Sequence, residues 1–161
     1  MIFIGIDPDI GFNGVGIWNQ GTKILTPTKM KFWDLVSYLK ELKDSEEPFK
    51  VVLEAGWKNK KSNYQDALKD PKTMKNLLKQ YKTMAAAIKI AHKINEKRAH
   101  DVGRNHQRGL EIEELCQVHK FDYELSIPRT AKWTPAYFYM ITKIKCKNPD
   151  IIDACSKVYG K

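Results

Sequence analysis

Residues 2–8 run Ile2-Phe3-Ile4-Gly5-Ile6-Asp7-Pro8. Apart from Gly5, the first five are β-branched or aromatic, the composition of a strand, and Pro8 bars Asp7 from helical backbone. The reading is a buried strand that stops on a carboxylate. Gly11, Asn13 and Gly14 follow as a turn cluster, after which Val15, Ile17 and Trp18 resume an extended pattern that can fold back as a hairpin. A third short strand is expected over residues 23–30, interrupted at Pro27.

Beyond the hairpin the period changes. Phe32, Leu35, Val36, Leu39 and Leu42 follow helical spacing with Lys and Glu between them, which predicts a helix from Phe32 to Lys43 covering one sheet face. Lys50 to Glu54 (Lys-Val-Val-Leu-Glu) is an apolar run of strand length that resembles a central strand covered on both sides, and it too ends on an acid. Residues 57–72 are polar and basic and predict a loop, or a loop with a short helical turn. Met74, Leu77, Leu78, Tyr81, Met84, Ala85, Ile88, Ala91, His92 and Asn95 mark one stripe of a long helix ending near Ala99. Gly103 suits a C-terminal cap, and Asn105 can start another helix with Ile112, Leu115, Cys116 and His119 on its buried side. Asp122 to Ile127 reads as a strand closed by Pro128, followed by a short helix after Thr134-Pro135 and a last helix from Pro149 to about Tyr159. The order is βββαβααβαα. No repeat or linker divides the chain, so the expectation is one α/β or α+β domain over residues 1–161.

Twenty-eight Lys and Arg face 19 Asp and Glu, a formal charge of +9, and the excess lies mostly between residues 58 and 147. A polyanionic partner is the first expectation. Cys116, Cys146 and Cys155 make an odd set with no CxxC pair, which fits reduced thiols better than a disulfide framework or a four-ligand zinc site. Cys116 and His119 have metal-ligand spacing, but no second pair completes a zinc site. Met1 leads straight into a strand, and no apolar run approaches the roughly 18 residues that span a bilayer. Secretion and membrane insertion are not expected, and a cytoplasmic location is.

The acids at strand ends carry the chemistry. Asp7 and Glu54 each close an apolar run, where a carboxylate costs desolvation free energy and invites a cation. Asn148-Pro149-Asp150-Ile151-Ile152-Asp153-Ala154 reads as a helix start, with Asn148 as cap and Pro149 at the first helical position. Asp150 and Asp153 are three apart and share a face. An acid in a first turn complements the helix dipole, so Asp150 has a structural reading as well. Asp153, set among Ile151, Ile152, Ala154 and Cys155, has none. Such carboxylates are hard oxygen ligands for Mg²⁺ or Mn²⁺. Two ions about 4 Å apart can activate a water and stabilise the leaving 3′-oxygen in phosphodiester cleavage.

In this order the motifs resemble the RuvC-type Holliday junction resolvases of the ribonuclease H-like superfamily. The resemblance lies in Ile4-Gly5-Ile6-Asp7-Pro8 with Gly11 and Gly14, in Glu54 after Val-Val-Leu, and in the Asp-x-x-Asp-Ala run at 150–154. Val102-Gly103-Arg104-Asn105 ahead of an Ile-Glu-Glu-Leu helix, and Ile127-Pro128 followed by Lys132, are similar to phage and bacterial relatives. It implies a mixed five-stranded sheet whose first three strands are antiparallel, flanked by helices, in a single nuclease domain. It also implies a catalytic, metal-binding tetrad of Asp7, Glu54, Asp150 and Asp153, with Lys132 and Lys143 as basic residues near the scissile phosphate, Lys145 competing for the latter place. Where the chain departs, its loop after Glu54 is longer and its closing helix shorter than in bacterial resolvases.

The same resemblance assigns Trp57, in a basic loop with Lys58, Lys60, Lys61 and Tyr64, to stacking on bases at the exchange point, worth roughly 1–3 kcal/mol per base. The alternative is an indole packed under its own loop. Arg104, His106 and Arg108, near the predicted helix start, could grip backbone phosphates, or could be an exposed basic turn. His92 and His119 fall on apolar helix faces and read as core or boundary residues. The function expected is a Mg²⁺-dependent endonuclease with two ions per site that cleaves branched DNA such as four-way junctions. It would act as a homodimer in the nucleoid or a phage-infected bacterial cytosol. The alternatives are a flap, fork or RNA–DNA hybrid nuclease with the same metal site, an RNA-processing relative, and a non-catalytic nucleic-acid-binding module. An actin- or sugar-kinase-type ATPase would need far more chain.

Overall fold

The computed structural model describes residues 1–59, 66–128 and 131–161. Its sheet has the order β3-β2-β1-β4-β5. Strand β1 (Ile2–Asp7) pairs antiparallel with β2 (Asn13–Asn19) and β2 antiparallel with β3 (Ile24–Met30), while β4 (Phe49–Glu54) runs parallel to β1 and β5 (Tyr123–Ser126) parallel to β4. The helices are α1 (Phe32–Asp44), α2 (Pro71–Tyr81), α3 (Met84–Val118), α4 (Pro135–Thr142) and α5 (Pro149–Val158), with a 3-10 turn over Gly56–Lys58. This is a mixed α/β architecture with the expected order of elements.

The chain divides into two compact units, Met1–Lys58 with Asn105–Lys161, and Asn59–Arg104. In the first, side chains alternate across the sheet. Ile2, Ile4, Ile6, Val15, Val51 and Leu53 point to one face, where they meet Leu35, Leu39 and Leu42 of α1 and Ile112 and Cys116 of α3. The opposite face is covered by α5 and α4 through Trp18, Leu25, Val52, Phe138, Ile152, Cys155 and Val158. Here Gly5, Gly14 and Gly16 lie directly beneath α5: a Cβ on any of them would run into the backbone of Ala154, Asp150 or Cys155. The three glycines bring the α5 backbone down onto β1 and β2.

The predicted interruption at Pro27 does not occur. β3 is an edge strand, where proline needs no second ladder partner, and it runs unbroken with Pro27 opposite Gly16.

In the second unit the single helix expected from Met74 to Ala99 is two. Asp70 caps α2 by accepting from the amides of Lys72 and Thr73, with Pro71 at the first position. Lys82 then turns left-handed (φ 58°) and ends it, and the Thr83 hydroxyl accepts from Ala86 N at 3.3 Å as α3 begins. Much of the apolar stripe is internal, because Leu77, Ala87 and Ala91 pack together with Ala67, Met74 and Ile90. Asn95 holds the 66–68 turn, accepting from Ala67 N at 2.8 Å and donating to Asp66 Oδ1 at 2.6 Å.

The break expected at Gly103 is absent. α3 is continuous there and Gly103 does not take the positive φ of a left-handed cap. A glycine inside a helix weakens it by about 1 kcal/mol without ending it. Asn105, expected to start a helix, lies within α3, where its Oδ1 accepts from Ile10 N at 3.4 Å and tethers the turn after β1.

Candidate metal centre

The register Ile6↔Leu53 between parallel β1 and β4 leaves Asp7 and Glu54, the next residues, side by side at the same sheet edge. Ile6 and Leu53 point to the α1 face, so Asp7 and Glu54 point to the α5 face. The turn after Asp7 is fastened: buried Asn13 donates to Met30 O at 3.2 Å, and Asp9 accepts from Gly11 N at 3.1 Å.

Helix α5 begins over this edge. Asn148 accepts from the amides of Asp150 and Ile151 at 2.9 and 3.2 Å, as a cap should, and Pro149 occupies the first position. Asp150, Asp153, Ala154 and Lys157 are spaced as one helical stripe, and the glycine strip seats that stripe on the sheet. Asp153 and Lys157 are each 5% exposed and Glu54 8%. Lys157 forms an ion pair with Glu54, and Lys132 forms one with Asp153.

The charges act on one another. Burial, then the neighbouring carboxylates of Glu54 and Asp150, push the Asp7 carboxyl up to about 8, against the opposing pull of Lys132 and Lys157. Asp150 is also raised, by burial first and then by Asp9, Asp153 and Glu54, with Lys132 opposing. Burial works against the Lys132 ammonium. The hydrogen bond and charge of Asp153, with Asp7 and Glu54 beyond, outweigh it and hold its pKa above the usual value. Four acids and two lysines therefore form one electrostatic group with negative charge in excess. Among the described residues, no ion pair involves Asp7 or Asp150, the two carboxyls that burial and like charge have raised.

No protein-family model matches the chain, and no curated protein matches it. Among the described residues, no helix is long and apolar enough to cross a membrane.

As they stand, the described His, Cys, Asp and Glu side chains form no ready-made cage of three ligands. Glu54 and Asp153 are engaged by their lysines. In donor type and residual charge, the group fits a hard divalent cation: its ligating atoms are carboxylate oxygens, and a dication would relieve the crowding at Asp7 and Asp150.

The other predicted residues have varied positions. Lys143 lies outside this group: it caps α4 with a left-handed backbone (φ 61°) and its Nζ donates to Met140 O at 3.0 Å. Trp57, in the 3-10 turn, packs against the α1-side core with its ring on Gly109, where even a Cβ would collide with the indole. Lys58 is exposed at the end of that turn, whereas Lys60, Lys61 and Tyr64 lie outside the described residues. Arg104 is exposed and Arg108 half-buried, and both sit within α3 rather than at a helix start, so no terminal amides stand beside them for a phosphate. Arg108 is held by Glu111 at 2.7 Å and stacks over the Phe32 ring at 4.3 Å.

Two residues escaped the sequence reading. Lys157 shares a helical stripe with Asp150 and Asp153, a spacing visible in the sequence but unused. Phe12 is exposed in the turn after β1, with Lys29 Nζ 4.7 Å from its ring centroid. An aromatic residue within a Gly-Asn turn cluster was its only signal.

Proposed function

We propose that this chain is a Mg²⁺- or Mn²⁺-dependent endonuclease of ribonuclease H-like fold that cuts branched DNA, four-way junctions first among them. One observation carries the reading: Asp7, Glu54, Asp150 and Asp153 gather with Lys132 where β1 and β4 end beneath the start of α5. The resemblance to RuvC-type resolvases rests on the same residues, and the antiparallel β1-β2-β3 followed by parallel β4 and β5 agrees with its sheet.

A bound divalent ion would supply an activated water and charge stabilisation at the leaving oxygen. The chain's own residues do the rest. Asp7 and Asp150 would hold the ion, and Glu54 and Asp153 would complete or steady its surroundings. Lys132, whose side chain is 55% exposed, can reach outward from Asp153 to a phosphate oxygen and oppose charge developing there. Lys58 and the lysines at 60 and 61 would meet backbone phosphates and make binding salt-dependent. A junction is nearly two-fold symmetric, so two copies of the chain related by the same axis would place one centre at each of two strands.

The test is cleavage of a four-way junction, a Y-shaped flap and an RNA–DNA hybrid side by side with Mg²⁺. Paired nicks of like polarity in the junction support the reading. Preference for the flap or the hybrid moves the assignment to that substrate. Binding without any cleavage would leave a nucleic-acid-binding module.

A further inference from the structure

Lys157 has no part in the reading above. It enters the centre one helical turn beyond Asp153, its ammonium pairs with Glu54, and its charge also acts on Asp7. Its side chain is only 2% exposed, against 55% for Lys132. Lys132 can therefore swing toward solvent or a phosphate. Lys157 has no such path, because its side chain is enclosed and its ammonium is paired with Glu54.

We propose that Lys157 stands as a fixed cation in the place of a second divalent ion, so that the centre takes a single divalent ion, held principally by Asp7 and Asp150. The inference rests on the metal-centre reading above and deepens it. Glu54 and Asp153 are already paired with Lys157 and Lys132, which leaves Asp7 and Asp150 as the two carboxylates of the tetrad for an ion, and one dication matches two carboxylates. A second dication would place excess positive charge beside a buried ammonium that cannot withdraw, and like charges at close range in a poorly hydrated site repel strongly. Glu54, the acid at the end of β4, is already engaged by Lys157 and so belongs to the built-in cation. The site is thus asymmetric: an Asp7–Asp150 side open to an ion, and a Glu54 side closed by lysine.

Counting bound ions tests this without reference to turnover. Mn²⁺ is titrated into the full chain in the absence of DNA, free ion is followed by electron paramagnetic resonance, and the saturated protein's spectrum is recorded. One Mn²⁺ per chain with the spectrum of an isolated ion is expected. Lys157→Met should admit a second ion at least about tenfold more tightly than the parent does and give an exchange-coupled pair, while Lys157→Arg, which keeps the charge, should stay at one. Two ions bound by the parent would overturn the proposal and leave the metal-centre reading intact, as would a folded Lys157→Met that still takes one. If Lys157→Met does not fold, the parent's count alone decides. A parent that binds no ion would reject the metal centre itself.

Discussion

On the face of the sheet that meets α1, β1 contributes Ile2, Ile4 and Ile6; on the face that meets α5 it contributes Phe3, Gly5 and Asp7. β4 repeats the division, with Val51 and Leu53 on one side and Val52 and Glu54 on the other. The first face is continuous hydrocarbon closed by Leu35 and Leu39. The second exchanges side-chain volume for close approach of α5 and collects acids at its edge. A carboxyl pushed up to about 8 is a destabilising feature, so the α1 face must supply the stability that the α5 face gives up.

The division breaks most visibly at Asp7. Asp7→Asn should reduce junction cleavage by on the order of a thousandfold or more in gel assays, while junction binding by gel shift stays equal or tightens as an acid leaves a basic protein. Metal-free Asp7→Asn should also melt higher than the parent at neutral pH, because the raised carboxyl is gone. Loss of function with gain of stability is the mark of the α5 face.

A matched pair of core changes sharpens the contrast. Leu39→Ala should cost roughly 2–5 kcal/mol in chemical denaturation, yet leave cleavage per folded molecule unchanged. Gly5→Ala should cost roughly 1–3 kcal/mol, since the new methyl meets the Ala154 backbone, and should reduce cleavage of the folded fraction as well by lifting the α5 acids.

The pH dependence follows from the same carboxyl. Below about pH 4 both folded and unfolded Asp7 are protonated. As pH rises, the unfolded chain releases this proton from its ordinary pKa of 3.8 while the folded chain retains it up to about 8. Stability of the metal-free protein should therefore fall across that window, by on the order of a few kcal/mol, and level off above it. Asp7→Asn should flatten this part of the profile in thermal melts, and Mg²⁺ should recover stability most at the alkaline end.

The smallest effect is expected for one of the two lysines first assigned to the scissile phosphate, and the other sets the contrast. Lys132→Ala should impair cleavage by on the order of a hundredfold, whereas Lys143→Ala, which removes only a hydrogen bond to Met140 O, should change it less than about threefold.

Which parts of this were readable beforehand follows from the range of the forces involved. The strand that stops at Asp7, the hairpin after it, and the Asn148-Pro149 start of α5 depend on alternation, turn residues and capping, which neighbouring residues specify. The helix break at Lys82 was not readable, because a left-handed lysine has no compositional mark, and Gly103 misled because a glycine inside a helix looks like one beyond its end. Pro27 was read as an interruption since its place at the sheet edge is tertiary information. Lys157 was passed over because the position of a lysine along the chain says little of its burial. Lys157 became recognisable once the glycines under α5 showed which stripe of the helix faces the acids.

The account stands on the α5 face being a cation centre, and nuclear magnetic resonance of the ¹⁵N-labelled protein tests that most directly. Substoichiometric Mn²⁺ should broaden the amides of Asp7, Gly14, Glu54, Asp150 and Asp153 first, leave those of Leu35, Leu39 and Ile112 sharp, and lose this selectivity in Asp7→Asn. Broadening that spares the α5 edge, or that is the same in parent and variant, would contradict it.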